Sequence, residues 1–452
     1  MSPAERRASV SLAAIFGLRM FGMFIILPVF ALYAERLPGG ASHTLIGVAL
    51  GAYGLTQALL QIPFGWLSDR YGRKTVIYGG LVLFAIGSFV AASAHTLYMV
   101  IVGRVIQGAG AISGAVIALA ADLTREEHRT QAMALIGITI GITFSASMVA
   151  GPPLDHWIGV PGIFMLTGVL ALLAIGVVYA LVPNPPHSRF HSDSEANPAA
   201  LAKVLKNPQL LRLNYGIFAL HSGLMAMFVV VPFALRADGL ASNQHWQIYL
   251  PVMLIGFGLM VPPIIYGEKK AKLKQVFTVA VALLLVAQLM LGELMRSLWG
   301  IAVSLLVFFT AFNVLEAILP SLISKIAPAG VKGTASGVYS SVQFAGTFAG
   351  AAVGGWLSQH FGAPAVFAFC TAVSALWLLL VATMQAPPAV RTRMYALPDT
   401  DGARAQRLSH ELAQLPGVRE AVVSAEEGAA YLKVDMAGFD EQRVLQLIQG
   451  RT

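Results

Sequence analysis

Long apolar stretches recur along the chain, each near the roughly twenty residues that a helix needs to cross a hydrocarbon core ~30 Å thick. Twelve can be read: residues 8–34, 44–67, 75–94, 97–121, 130–152, 161–182, 208–236, 245–266, 275–293, 297–323, 333–357 and 364–384. Backbone groups in lipid must find partners within their own segment or within a closed barrel. The stretches are too long and too continuously apolar for barrel strands of about ten alternating residues. The pattern therefore predicts a helical membrane bundle. Arg6 and Arg7 precede the first stretch. That stretch is too long for a signal-peptide core and lacks a small-residue cleavage pattern, so it is expected to be retained.

The pattern breaks twice. "PNPPHSRFHSDSEANPAA", 183–200, is rich in Pro, Ser and Asn and separates six stretches from six. Such composition reads as an exposed tether. After Pro387-Pro388 the long apolar runs stop. The expected units are a six-helix half over 1–182, a linker over 183–207, a second six-helix half over 208–387, and a small domain over 388–452.

The halves echo each other. Shifting 130–167 by 203 positions aligns Gly151 with Gly354, Leu154 with Leu357, Gly159 with Gly362, Pro161 with Pro364 and Phe164 with Phe367. "FIILP" ending at Pro28 echoes "FVVVP" ending at Pro232. A parallel repeat of this kind places a polar site between the halves near mid-membrane, with rocking as the natural motion.

In the tail, 391–397 reads as a strand. Residues 401–415 are helical, with Leu408, Leu412 and Leu415 on one face, and 418–424 form a strand. Ala430, Leu432 and Val434 alternate with Tyr431, Lys433 and Asp435 at strand period. Residues 439–449 are helical. The order β-α-β-β-α points to a ferredoxin-like domain, with only three residues left after Gln449 for a further strand.

Composition agrees with the pattern: 57% of residues are hydrophobic and only 12% charged, against roughly 45–50% apolar in soluble domains. The net charge of +8 is a nucleic-acid signal only until its distribution is considered. One set of connections carries seventeen Lys and Arg, including Arg70, Arg73, Lys74, Arg125, Lys203, Lys269, Lys270, Lys272 and Lys274; the other carries Arg36, Arg236 and Arg296. The positive-inside rule then expects both termini and the 183–207 linker in the cytoplasm. Cys370 is the single cysteine, which excludes a disulfide framework and a thiolate metal site.

The densest charge lies in "GWLSDRYGRK", 65–74, between the second and third stretches. Gly65, Asp69, Arg70, Gly72, Arg73 and Lys74 resemble motif A of the major facilitator superfamily, at the place in the chain where that family carries it. "RVIQGAG", 104–110, resembles motif B. "AGPPLDHWIG" resembles antiporter motif C at Gly151 and Pro152, where it implies helix packing, and departs from it at Asp155 and His156. The resemblance covers about 8–384. With the tail, it narrows to the YajR-type transporters of the drug–proton antiporter group. Tails of that kind resemble heavy-metal-associated domains, but this one lacks Cys-x-x-Cys, so no copper-type site is expected.

The resemblance implies that the 65–74 loop latches the first half against the eleventh span when the cytoplasmic side is closed. Asp69 and Asp122 are the candidate partners of Arg73. On the alternative reading, Arg70, Arg73 and Lys74 only set topology. In the second half the loop keeps its positive charge as "GEKKAKLK" and loses the acid.

Ionisable residues at membrane depth cost about 2.5–3.5 kcal/mol on insertion scales. Arg19, Arg104, His221 and Glu316 fall in the first, fourth, seventh and tenth spans, the set that lines the cavity in the resembled family. Glu316 is the leading proton carrier, because a partly dry site penalises its charged form; the alternative is a structural hydrogen bond to another helix. His221 is either a second proton carrier or a neutral core histidine. Arg104 matches the motif B arginine that the family links to proton transfer. Arg19 either pairs with a carboxylate or snorkels to the cytoplasmic edge. Tyr53, Gln57, Gln61, Gln107, Ser113, Asn214, Asn313, Tyr339 and Gln343 are candidate cavity-lining groups or interhelical hydrogen bonders.

The expectation is therefore an all-α bundle of twelve transmembrane helices with a small α+β tail, in a bacterial inner membrane. It is a transporter rather than an enzyme, and the bundle is monomeric. No cofactor, metal or nucleic acid is expected; the energy source is a proton gradient, since no nucleotide-binding loop is present. The partners are membrane lipid, protons and a small hydrophobic or amphipathic substrate that is exported. The tail could bind a ligand or protein. Two alternatives stay open: a membrane sensor acting through the tail, and proton-coupled nutrient uptake.

Overall fold

The computed structural model describes residues 3–124, 126–183, 198–328, 331–386, 390–397, 401–425, 428–435 and 438–449. In chain order the helices are α1 (Pro3–Phe24), α2 (Leu27–Ala34), α3 (His43–Tyr71), α4 (Arg73–Ala92), α5 (Leu97–Ala109), α6 (Ser113–Asp122) and α7 (Glu126–Leu181). Then come α8 (Pro198–Lys206), α9 (Pro208–Ala237), α10 (Trp246–Lys269), α11 (Leu273–Leu294), α12 (Leu298–Ile326), α13 (Lys332–Phe361) and α14 (Ala363–Ala382). The tail holds β1 (Val390–Ala396), α15 (Gly402–Ala413), β2 (Val418–Ser424), β3 (Ala429–Asp435) and α16 (Glu441–Gln449).

Among the described residues, ten helical stretches are long and apolar enough to cross a membrane. The stretch within α7 is two spans joined at Gly159, where the backbone leaves the helical region (φ 69°, ψ 167°). The one remaining span, the eleventh in chain order, is α13, whose Gly, Ala, Ser and Thr lower its hydropathy because they serve packing. Span 1 is α1 with α2. It breaks because Pro28 lacks an N–H and leaves the Phe24 carbonyl without its helical donor. Span 4, expected as one helix, is α5 and α6, interrupted at Gly110 (φ −74°, ψ 57°).

The internal repeat reappears as geometry. Gly362 (φ 78°, ψ 179°) opens the turn between α13 and α14 as Gly159 does within α7, and both positions need a residue that tolerates positive φ. Lys74 donates to the Val182 carbonyl at 2.9 Å, and 200 residues on, Lys274 donates to the Ala382 carbonyl at 3.5 Å. These bonds put the starts of α4 and α11 and the ends of α7 and α14 on one face of the bundle, called here the terminal face. Counting spans puts the α2–α3, α9–α10 and α13–α14 connections on the opposite face.

The expected tether over 183–207 is partly helical. Residues 184–197 lie outside the described residues; α8 follows, and its Val204 is buried. In the tail, β1, β3 and β2 form an antiparallel sheet in that order. Leu408, Leu412, Ala430, Leu432, Val434, Val444 and Ile448 make one apolar core beneath it. Arg125 and Arg189 lie outside the described residues.

Candidate functional site

Gly72 sits between α3 and α4 with φ 91°, so the chain turns there within one residue. The turn swings Arg73 inward, where it is buried. Its guanidinium forms an ion pair with Asp69, donates to the Ser68 hydroxyl at 2.7 Å, and donates to Asp122 at 3.4 Å. Ser68 in turn donates to the Gly65 carbonyl at 2.7 Å. A buried cation thus ties the ends of α3, α4 and α6 together. Arg70 stays exposed against Trp66 and Tyr71, 5.5 and 5.7 Å from their ring centres.

The two halves meet toward the opposite face. A Cβ on Gly51 would lie 3.0 Å from the Phe348 Cα, and one on Gly54 would lie 2.9 Å from the Phe344 carbonyl. Only glycine lets α3 and α13 come this close. On its other side α13 packs against α9, with Gly350 on the Ser222 backbone and Gly354 on Ala226. The contact is locked at its end: His43 bonds Ser358 at 3.0 Å, and Ser42 and Thr44 donate to Gln359 at 2.8 and 2.7 Å. His43 also stacks on Phe233, and Arg236 pairs with Glu35. Deeper in the bundle, Phe144 of the first half packs on Phe309 and Phe312 of the second. The close approach does not reach Gly65, where a Cβ would meet nothing within 4 Å. The 65–74 loop ties α3, α4 and α6 of its own half together through Arg73.

Below the Phe309–Phe312 contact, the second half brings together Glu316, His221 and Gln343. The Gln343 side-chain nitrogen donates to Glu316 at 3.3 Å and to His221 Nε2 at 2.9 Å. His221 Nδ1 then donates to the Ile217 carbonyl at 3.3 Å. The second carboxylate oxygen of Glu316 and the hydroxyl of Tyr339, one turn from Gln343, have no hydrogen-bond partner among the described residues. Asn214 and Asn313 are buried nearby in sequence on α9 and α12, each with a side-chain atom that has no partner among the described residues. One amide thus joins a carboxyl on α12 to an imidazole on α9.

The other two intramembrane charges form no part of that cluster. Arg104 donates to Gln107 at 2.7 Å and to the Leu50 carbonyl at 3.2 Å, and lies 5.0 Å from the Tyr53 ring centre. Gln107 continues to Ser88 at 2.9 Å. This network joins spans 2, 3 and 4. Arg19 donates to Ser113 at 2.5 Å and has no carboxylate partner among the described residues. It is buried, so it does not snorkel. Gln57 donates to the Tyr53 hydroxyl at 3.3 Å, and Gln61 is buried beside Gly114. Tyr53 reaches across to Phe344, ring centres 6.3 Å apart, and so links the two networks. Gly151 packs against the break in span 1: a Cβ there would lie 2.6 Å from the Ile25 carbonyl and 2.8 Å from the Pro28 ring. Pro152 follows within the same helix.

Residues 12–351 match the profile of the Major Facilitator Superfamily. The chain belongs to that superfamily. Within it, Escherichia coli (strain K12) Inner membrane transport protein YajR is 46% identical over 449 residues, spanning 99% of this chain and 98% of that one. Quinolone resistance protein NorA of Staphylococcus aureus is 24% identical over 374 residues, 80% of this chain and 92% of that one. Among solved structures, a bacterial homolog of the human lysosomal transporter Spinster, in an inward-facing and occupied conformation, shares the fold at a TM-score of 0.71. Its identity is 14%, with coverage of 85% of this chain and 98% of that one. The chain is a membrane-spanning transporter of this superfamily, not an enzyme.

Three features of this facilitator were not read from the sequence. Ser68 was passed over although it lies inside the charged loop. The Glu35–Arg236 pair joins residues 201 apart in connections read only for their charge. The Phe144–Phe309–Phe312 contact had no pattern of its own in a chain with 24 Phe.

Proposed function

We propose that this chain exports small hydrophobic or amphipathic compounds in exchange for protons, by alternating access, across a bacterial inner membrane with both termini cytoplasmic. The observation that carries the reading is the Glu316–Gln343–His221 cluster, where α9, α12 and α13 meet. A membrane-buried carboxyl must justify its cost. Among the described residues it holds one amide bond and one oxygen without a partner, so protonation dismantles no salt bridge there. His221 Nε2 shares the same amide donor, which supports exchange of a proton or a substrate contact between the two groups.

Orientation is supported by the basic residues of the terminal face. On that orientation the glycine contact between α3 and α13 lies toward the outside, which supports a state closed to the outside, from which an exporter loads. Arg73 with Asp69 and Asp122 then forms the resting half of a latch, whose docking on α13 belongs to the outward-open state. Arg104 and Arg19 brace the first half, with Tyr53, Gln57, Gln61 and Gln107 at the cavity edge beside Asn214, Asn313, Tyr339 and Gln343 from the second. The name of YajR supports transport, and the quinolone resistance in the name of NorA supports a role in handling small organic compounds.

A regulatory role for the tail is supported by its separate apolar core. Proton flux in proteoliposomes with a compound panel tests the main reading. Compound-dependent flux that Glu316→Gln abolishes supports antiport; absence of flux with every compound favours sensing through the tail. Accumulation driven by the reverse gradient indicates uptake.

A further inference from the structure

The turn at 267–275 carries four lysines. The structure connects that charge to a cavity. α10 and α11 each pack on α12 and splay from one another, leaving a wedge of about 470 Å³ that opens sideways to the lipid, within the range of roughly 300–1,000 Å³ typical of small-ligand sites. The sequence explains the splay. Pro262 and Pro263 lie consecutively inside α10 and remove two helical donors, which favours a bend there. On the α11 side the wedge runs from Gln275 to Leu283, about 12 Å at 1.5 Å per residue. That is close to one leaflet of a core ~30 Å thick. Its walls are apolar apart from Tyr266 and Gln275 near one end and Thr310 deep inside.

The mouth of the wedge lies on the terminal face, beside Lys269, Lys270, Lys272 and Lys274, with Glu268 the single acid among them. Lys272 is attached to the cavity itself: its ammonium lies 5.7 Å from the ring centre of Tyr266, which lines the wedge. The chain adopts φ 53° at Ala271, and the Lys272 N–H closes onto the Gly267 carbonyl at 2.8 Å. This turn folds Lys272 back over the end of α10. Setting topology requires positive charge in the loop, but not a lysine held against a cavity wall.

We propose that this wedge is a binding site for an anionic phospholipid of the cytoplasmic leaflet, one acyl chain lying between α10 and α11 and the phosphate on Lys270 and Lys272. Basic groups beside an intramembrane slot on the cytoplasmic side match that chemistry. The assignment rests on the cytoplasmic orientation of the terminal face. The floor of the wedge gives the site a consequence. Thr310, Ala311 and Val314 share one face of α12. At about 100° per residue, Glu316 projects roughly 190° from the centre of that face. The lipid therefore backs the helix that carries the proton-binding candidate and braces it from behind.

The test measures bound lipid rather than flux, so its failure is separate from failure of the transport reading. The full chain is delipidated in detergent, offered equal phosphatidylglycerol and phosphatidylethanolamine, and examined by native mass spectrometry. Wild type should retain phosphatidylglycerol preferentially, with the preference falling roughly fivefold for each lysine removed in Lys270→Gln and Lys272→Gln. Ala280→Phe fills the wedge and should reduce retention of both lipids. Val279→Phe, at a lipid-facing position that is 59% exposed, should do the same with little risk to folding. Undiminished preference in the double lysine variant, undiminished retention in both Phe variants, or displacement of the lipid by free glycerol phosphate would each overturn the proposal.

Discussion

Arg236 near the end of α9 and Glu35 just past α2 belong to opposite halves of the bundle, and the guanidinium holds both carboxylate oxygens, at 2.8 and 3.2 Å. The pair is exposed, so its own contribution is small, about 0.2–1 kcal/mol. Its value is positional, because it can exist only while the opposite face is closed. Arg236→Ala should shift the population toward opening of that face by a few-fold. Spin labels at Ser93→Cys and Ala241→Cys, in a Cys370→Ala background, report the distance across it. An unchanged distance distribution would show that the glycine contact closes the face unaided.

The same pair gives closure a pH dependence. Hydrogen bonds from Arg236 hold the Glu35 carboxyl below its usual range, with His43 and Arg36 adding positive charge and partial burial opposing. A lowered value in the closed state means that the stabilisation is complete above the ordinary carboxylate pKa of about 4.3. It is lost as the pH falls through the lowered value. The label distance should therefore be flat from neutral pH down to that range and lengthen in stronger acid. Glu35→Gln should remove this acid-dependent step.

Packing at α13 predicts two different failures. Gly350 faces Ser222 within the second half, whereas Gly51 faces Phe348 across the halves. Gly350→Leu should therefore destabilise folding, lowering the thermal midpoint and membrane abundance, by ~1–3 kcal/mol or more for an overpacked contact. Gly51→Leu should leave abundance near normal and hold the opposite face open. Equal loss of abundance in both would contradict the assignment.

Arg73 is the buried centre of the charged loop. Arg73→Ala leaves Asp69 and Asp122 facing each other and should cost ~3–5 kcal/mol, as for a broken buried pair, read as lost thermal stability. Asp69→Asn keeps a hydrogen-bond acceptor and should preserve abundance while impairing transport. Full transport by that variant would remove the latch role. Gly65→Ala, which meets open space in this state, should not affect stability and should act only on the outward-open state.

In the tail, Tyr395 donates to Glu441 at 2.9 Å, and burial together with that carboxylate pushes its phenol up to about 12. Leu412→Ala, in the apolar core, should destabilise the domain by about 2–5 kcal/mol. Deletion of 388–452 with unchanged transport would argue against regulation.

Much of the fold is legible because membrane crossing and strand alternation are one-dimensional signals. The repeat was visible at Gly159 and Gly362, which share a backbone conformation because the same turn is needed twice. The tail strands appear where Ala430, Leu432 and Val434 alternate, and all three are buried. The interruptions of spans 1 and 4 were not read: Pro28 breaks span 1, whereas its echo Pro232 lies inside the continuous helix α9. Proline alone does not decide; the packing around it does. The site was legible as residue types. Its pairing was not, because nothing in the spacing places Gln343 between Glu316 and His221, which lie 27 and 122 residues away.

The central claim is that Glu316 carries the exchanged proton. The most direct measurement is proton release from the purified chain when compound binds, compared between wild type and Glu316→Gln in proteoliposomes at matched protein content. Compound-dependent proton movement is expected in wild type and none in the variant, with binding retained. Undiminished proton movement in Glu316→Gln would contradict it.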